Sequence, residues 1–183
     1  KVAAATTSLP EGLGGVRNWD YRYSWIRDTS YALHAALSVG YRDEAEGFLQ
    51  WVIDVTKDDP AALQIMYRVD GGQDLDEFEL PHLSGYKHSR PVRIGNQAYT
   101  QVQHDVYGQI ILSSVHAFFD RRLLRASGRE DFESLERVGE CAWRLHDKPD
   151  AGLWELRTRQ AIHTYSAAMC WAACDRLSNA ARA

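Results

Sequence analysis

Five stretches of this chain carry helical periodicity, and the connections between them alternate between short and long. That alternation limits the fold more tightly than any single motif does. The first stretch runs from Ser24 to Val39, with Trp25, Tyr31, Leu33 and Leu37 among its apolar residues. Gly40 stops it, because glycine accepts the left-handed backbone just past a helix end. Asp43 to Val55 is the second, with Phe48, Leu49, Val52 and Ile53 as its stripe. The third runs from Gln101 to Leu124 and is closed by Gly128; Phe132 to Leu145 and Thr164 to Asn179 complete the set. Ala62 to Val69, after Pro60, reads as either helix or strand. Short links join the first stretch to the second and the third to the fourth, so each pair forms an antiparallel hairpin. The expected fold class is therefore all-α, built of stacked hairpins.

The long connections carry a second consequence. Asp70 to Ala98 holds Gly71, Gly72, Pro81, Gly85, Pro91 and Gly95 among polar and aromatic residues. It is too long for a plain connector, and long ordered loops in compact domains tend to be functional. If the hairpins stack side by side, three segments meet at one end: the start of the first helix, this loop, and the loop around Pro149 and Gly152. Chemistry is expected there.

The residues at that end suit a carbohydrate. Asn18-Trp-Asp-Tyr-Arg-Tyr-Ser-Trp-Ile-Arg-Asp28 packs four aromatic rings, two arginines, two aspartates and an asparagine into eleven residues. Flat rings beside hydrogen-bonding groups match a sugar, whose faces are apolar and whose rim is hydroxyl. The competing reading is an interlocked Trp/Arg layer that only holds structure.

Composition excludes other classes. At 183 residues, 45% hydrophobic and 25% charged, the chain has the size and make-up of one globular domain. Its net charge of −4 and the lack of a basic stripe argue against a nucleic-acid partner. Arg121, Arg122 and Arg125 read as a solvated helix face. No apolar run is long enough to span a membrane. Three cysteines form no spaced framework, and Cys170 and Cys174, four apart on one helix, read as buried small apolar residues. The odd count points to a reducing compartment, and a cytoplasmic location is expected. The seven scattered histidines make no metal-ligand pattern, and no calcium loop is present.

Six ordered motifs then make the chain similar to glycoside hydrolase family 15, the glucoamylase-like and trehalase-like enzymes. They are Thr6-Thr-Ser-Leu-Pro-Glu11, the eleven-residue stretch above, Leu83-Ser-Gly-Tyr86, Ser89-Arg-Pro-Val-Arg-Ile-Gly-Asn96, Gln103-His-Asp-Val-Tyr-Gly108 and Gly152-Leu-Trp-Glu155. The resemblance implies an (α/α)6 toroid, of which residues 1–183 would form about half. It also implies that the family's N-terminal β-sandwich and the C-terminal half of the toroid lie outside this segment. Carried over residue by residue, it makes Glu155 the general acid. Arg27 and Asp28 become the pair that grips the sugar, with Trp25, Tyr21 and Trp154 as aromatic walls and Gln103 and Asp105 as polar neighbours. His163 is expected to serve the start of the last helix.

The resemblance implies that the general base lies near the end of the toroid, beyond Ala183, and none of Asp28, Asp76, Glu77, Glu79 or Asp105 matches it. An inverting mechanism needs such a second carboxylate about 6.5–9.5 Å from the acid. After the acid loop the family's usual Arg-x-x-x-His-Phe-Thr-His-Ser-Lys becomes Arg159-Gln-Ala-Ile-His-Thr-Tyr-Ser-Ala-Ala, and the lysine end is lost. The implied activity is hydrolysis of α-linked glucosides, either maltooligosaccharides and starch or trehalose, with no cofactor. The alternative is a non-catalytic carbohydrate-binding or regulatory module. Half a toroid would expose inner helices, so self-association or pairing with the missing half-domain is expected.

Overall fold

The computed structural model describes residues 1–56, 59–120 and 128–182. The Arg121, Arg122 and Arg125 face lies outside the described residues. Among the described residues six helices carry the architecture: α1 (Ile26–Val39), α2 (Arg42–Thr56), α3 (Asp105–Ser114), α4 (His116–Phe119), α5 (Arg129–Leu145) and α6 (Thr164–Ala180). Four two-residue strands accompany them: β1 (Ser24–Trp25), β2 (Met66–Tyr67), β3 (Phe78–Glu79) and β4 (Arg93–Ile94). The described residues are helix-rich, as expected, with only these short strands beside the helices.

The strands exist because ordered loop backbone must find hydrogen-bond partners. β1 pairs antiparallel with β2, Ser24 opposite Tyr67 and Trp25 opposite Met66. β3 pairs antiparallel with β4 and ties together the two limbs of the long 70–98 loop. The first helix therefore begins two residues later than its apolar pattern suggests, since Ser24 and Trp25 are spent on strand pairing. The ambiguous 62–69 segment resolves into a short 3-10 turn, Pro60–Ala62, followed by β2.

Local chemistry sets the helix ends. Gly40 ends α1 with φ of 91°, while Tyr41 N–H reaches the Ala36 carbonyl and Gly40 N–H reaches Leu37. That is a glycine-closed helix end of the Schellman type. Asp43 and Glu44 in the first turn of α2 favour the positive end of its dipole. The predicted third helix is shorter than expected at its start. Its opening residues run extended to His104, and α3 gives way to the single turn α4 after Val115. Gly128 opens α5, its N–H bonded to Asp131 Oδ2 at 3.0 Å, and the predicted end of the third helix at Leu124 lies outside the described residues.

α3 is the centre of the molecule. Asp105 through Ile111, with Ser113 and Ser114, are all buried, so it is enclosed nearly all round. Against it pack α1, α5 and α6. The α3–α6 contact is so close that a Cβ on Gly108 would sit 2.4 Å from the Met169 carbonyl oxygen. Between α1 and α3, the Ser30 and Ser113 hydroxyls lie against each other and both reach the Gln109 carbonyl, so one donates to that carbonyl and the other to the carbonyl or to its partner hydroxyl. The main core joins Ile26, Ile65, Met66, Tyr67, Ile110, Ile111, Val138 and Ala173; a smaller cluster of Leu33, Leu37, Ala45 and Leu49 seals α1 against α2.

Candidate active site

The eleven-residue aromatic stretch divides into a structural part and a site part. Asn18 is fully buried and donates to the Gly15 and Pro91 carbonyls, while Arg93 donates to the Val16 and Asn18 carbonyls. Asp20, also fully buried, takes two hydrogen bonds from the Arg22 guanidinium and one from Gly95 N–H. Both the Arg93 and Arg157 guanidiniums lie over the Trp19 ring, at 4.6 and 4.2 Å from its centre. Glu77 pairs with both arginines. An interlocked Trp/Arg layer is therefore present, and it anchors the segment that carries Tyr21, Trp25 and Arg27.

Glu155 lies where three elements meet. Trp25, buried at the end of β1, donates its indole N–H to Glu155 Oε1 at 2.9 Å. Arg27 in the first turn of α1 reaches the same oxygen through Nη2 at 3.2 Å. Through Nη1 it also reaches Gln103 Oε1 at 2.8 Å and Asp105 Oδ2 at 3.1 Å. Residues 128 and 130 positions earlier in the sequence thus close on one carboxyl. Burial pushes the Glu155 carboxyl above its ordinary value, against the opposing pull of Arg27 and of the Trp25 and Gln103 hydrogen bonds; Asp28 adds to the rise. A carboxyl that holds its proton beside a hydrogen-bonding groove can donate that proton.

The loop that carries Glu155 is firmly held. Asp150 and Ala161 exchange backbone hydrogen bonds and pinch the neck of an Ω-type loop. The buried Asp150 side chain accepts from His104 N–H at 2.7 Å, Gly152 N–H at 3.1 Å and Ser166 Oγ at 2.6 Å, which fixes the neck to the starts of α3 and α6. Glu155 itself has φ of 54°, a left-handed backbone that a side-chain-bearing residue adopts at a cost. Gln101 holds that backbone from the side, its Nε2 donating to the Glu155 carbonyl at 3.1 Å.

The remaining sequence-predicted residues take distinct places. Tyr21 is on the rim, 6.0 Å ring to ring from Trp25 and tilted 42°. Trp154 is 78% exposed on the side of the groove, while Trp25 and Arg27 make the hydrogen bonds to Glu155. Tyr21, Trp154, Glu155, Trp19 and Arg157 line an open groove of about 280 Å³. Asp28 is exposed at the start of α1. Gln103 and Asp105 sit behind Arg27, with Asp105 at 0% exposure. His163 precedes α6 without a side-chain cap bond; its ring lies against Gly152 and 3.9 Å from Asp150 Oδ1. A larger apolar hollow of about 550 Å³ lies between α1 and α2, and among the residues that line it Glu44 is the only carboxylate.

Sequence reasoning missed Gln101, Asp150 and Arg157. The alternation Gln101-x-Gln103-x-Asp105 was a usable signal, since an extended strand would turn all three side chains to one side. Among the described residues no group of three or more metal-ligating side chains gathers, and no helix is long and apolar enough to cross a membrane.

Comparison with known proteins finds relatives along nearly the whole chain. A trehalase of Mycobacterium tuberculosis is 45% identical over 96% of this chain and 26% of its own length. A trehalase of Thermoplasma acidophilum is 43% identical over 99% of this chain and 30% of its own. Trehalase 1 of Sulfolobus acidocaldarius is 38% identical over 96% and 32% respectively. The chain thus spans about a quarter to a third of the length of the curated relatives it matches. No solved structure matches it. The sequence profile of glycosyl hydrolases family 15 matches residues 1–183, and the chain belongs to that family.

Proposed function

We propose that this chain carries the acid side of a trehalose-hydrolysing active site, with Glu155 as the general acid. The single observation behind this reading is the carboxyl of Glu155 itself. It is buried enough to favour its proton, tied to Trp25 and Arg27, and turned to a groove rimmed by Tyr21 and Trp154. The relatives named trehalase favour trehalose over starch-type chains as substrate.

In this reading a glucose ring lies against Tyr21, with the buried Trp25 behind it holding Glu155. Asp28, exposed in the first turn of α1, accepts hydrogen bonds from the sugar's hydroxyls, and charged pairs of that kind discriminate strongly. Arg27 is already engaged by Gln103, Asp105 and Glu155, so its main task is to orient the acid, and its remaining N–H groups meet the sugar. Glu155 donates its proton to the bridging oxygen as the glycosidic bond breaks. Water attacks the opposite face, activated by a second carboxylate about 6.5–9.5 Å away. That base is supplied by the part of the family's catalytic domain outside the matched segment, in which residues 1–183 form about half of the (α/α)6 toroid.

The test is a chimera in which this chain replaces the matching segment of the Mycobacterium tuberculosis trehalase. It should hydrolyse trehalose and release one β-glucose and one α-glucose, because inversion occurs at only one of the two anomeric carbons. Glu155→Gln should cut turnover by about 10²–10⁴-fold, the usual worth of a positioned acid. A folded, active chimera indifferent to Glu155→Gln would rule Glu155 out.

A further inference from the structure

Asp105 opens α3 with its side chain wholly buried. One oxygen lies 3.1 Å from Arg27 Nη1, and the other, Oδ1, has no hydrogen-bond partner. A group with no exposed surface cannot touch a sugar in the groove, so its place in the site needs another explanation. Arg27 supplies one: the same guanidinium meets Asp105 through Nη1 and Glu155 through Nη2. One cation is divided between two carboxyls, and Asp105 is the drier of the two. Charge interactions are least screened where water is excluded.

We propose that Asp105 is a positioning residue for the acid: it holds Arg27 in place and draws the guanidinium charge away from Glu155, so that Glu155 keeps its proton. The proposal rests on the reading of Glu155 as the acid. The other charged or titratable groups around this pair are few. Asp28 lies beside Arg27 on α1, Tyr21 faces Glu155 from the segment ahead of β1, and Glu11 lies beyond Tyr21. Asp150 at the loop neck, His104 just ahead of α3, and Cys170 and Tyr165 on α6 all interact with Asp105, and Tyr165 feels Arg27 as well. Arg157, on the acid loop, is committed to Glu77 and Trp19. Among the described residues Arg27 makes the only ion pair of Glu155.

With Asp105 uncharged, the full field of Arg27 falls on Glu155 and favours its carboxylate. The test is a ¹³C-carboxyl NMR titration of the Glu-labelled chain, with the Glu155 signal assigned by its absence in Glu155→Gln. The Glu155 midpoint should fall in Asp105→Asn and return in Asp105→Glu, which keeps the charge. In an Arg27→Met background the Asp105→Asn change should produce no comparable fall. Asp105→Ser, which buries no amide, serves where the asparagine variant does not fold. A midpoint that stays or rises in the folded neutral variants would overturn the proposal, as would an equal fall with and without Arg27. The titration reads Glu155's affinity for its proton, whether or not Glu155 drives turnover, so this result stands or falls separately from the chimera's.

Discussion

Glu155 is expensive to hold as it is, and the expense is measurable. Burial favours its neutral form more than Arg27, Trp25 and Gln103 favour the charged one, so its proton binds more tightly folded than unfolded. A carboxyl raised in this way contributes stability that is fully present below the ordinary value of 4.5 and is lost as pH rises through the folded value. Glu155→Gln should therefore raise the melting temperature at neutral pH and leave it little changed in acid below that range. Calorimetry of the two proteins at several pH values checks this; a neutral-pH loss of stability would contradict it. Gly152 makes a separate prediction. Its φ of 65° and the His163 ring, 2.7 Å from where a Cβ would stand, mean that Gly152→Ala strains the loop neck. A cost of about 1–3 kcal/mol is expected, since alanine suits neither the backbone nor the space. Denaturant titration measures it.

At the scale of elements the molecule depends on how closely α3 can approach its neighbours. Gly108 leaves no room for a methyl group against the Met169 backbone, and backbone cannot swing aside as a side chain can. Gly108→Ala should push α6 from α3 at a cost of about 1–3 kcal/mol, or roughly 2–12 °C in melting temperature for a domain of this size. An unchanged melting temperature would mean that α3 and α6 are not in contact as described. The helices themselves were legible in sequence because period and terminator agreed: the α1 stripe ends at Gly40, and α2 and α6 begin and end within a residue or two of their patterns. The breaks were not. The turn after Val115 and the pairing of Ser24–Trp25 with Met66–Tyr67 arise from tertiary contacts that no local pattern encodes. The site was legible for the same reason in reverse. Trp25, Arg27 and Glu155 belong to recognisable motifs, whereas Asp150 and Arg157 act by anchoring, and ordinary loop residues do that as readily.

For the whole molecule, large apolar side chains stand in water. Trp171 on α6 and Trp143 on α5 are 69% and 68% exposed, and Tyr31, Tyr41 and Val39 are exposed at the α1 side. Outward faces of this kind ask for a covering surface. Residues 1–183 expressed alone should self-associate as concentration rises, and light scattering coupled to gel filtration should report a mass above 20.8 kDa. A monomer at every concentration would mean that these faces tolerate water. The central claim remains that Glu155 donates the proton on which the departing sugar depends. A leaving group that needs no proton separates that role from every other. In the trehalase chimera, Glu155→Gln should lose about 10²–10⁴-fold of its turnover on trehalose. On α-glucosyl fluoride, whose fluoride departs unaided, the same variant should keep most of its turnover. Equal losses on both substrates would show that Glu155 shapes the site without serving as its acid.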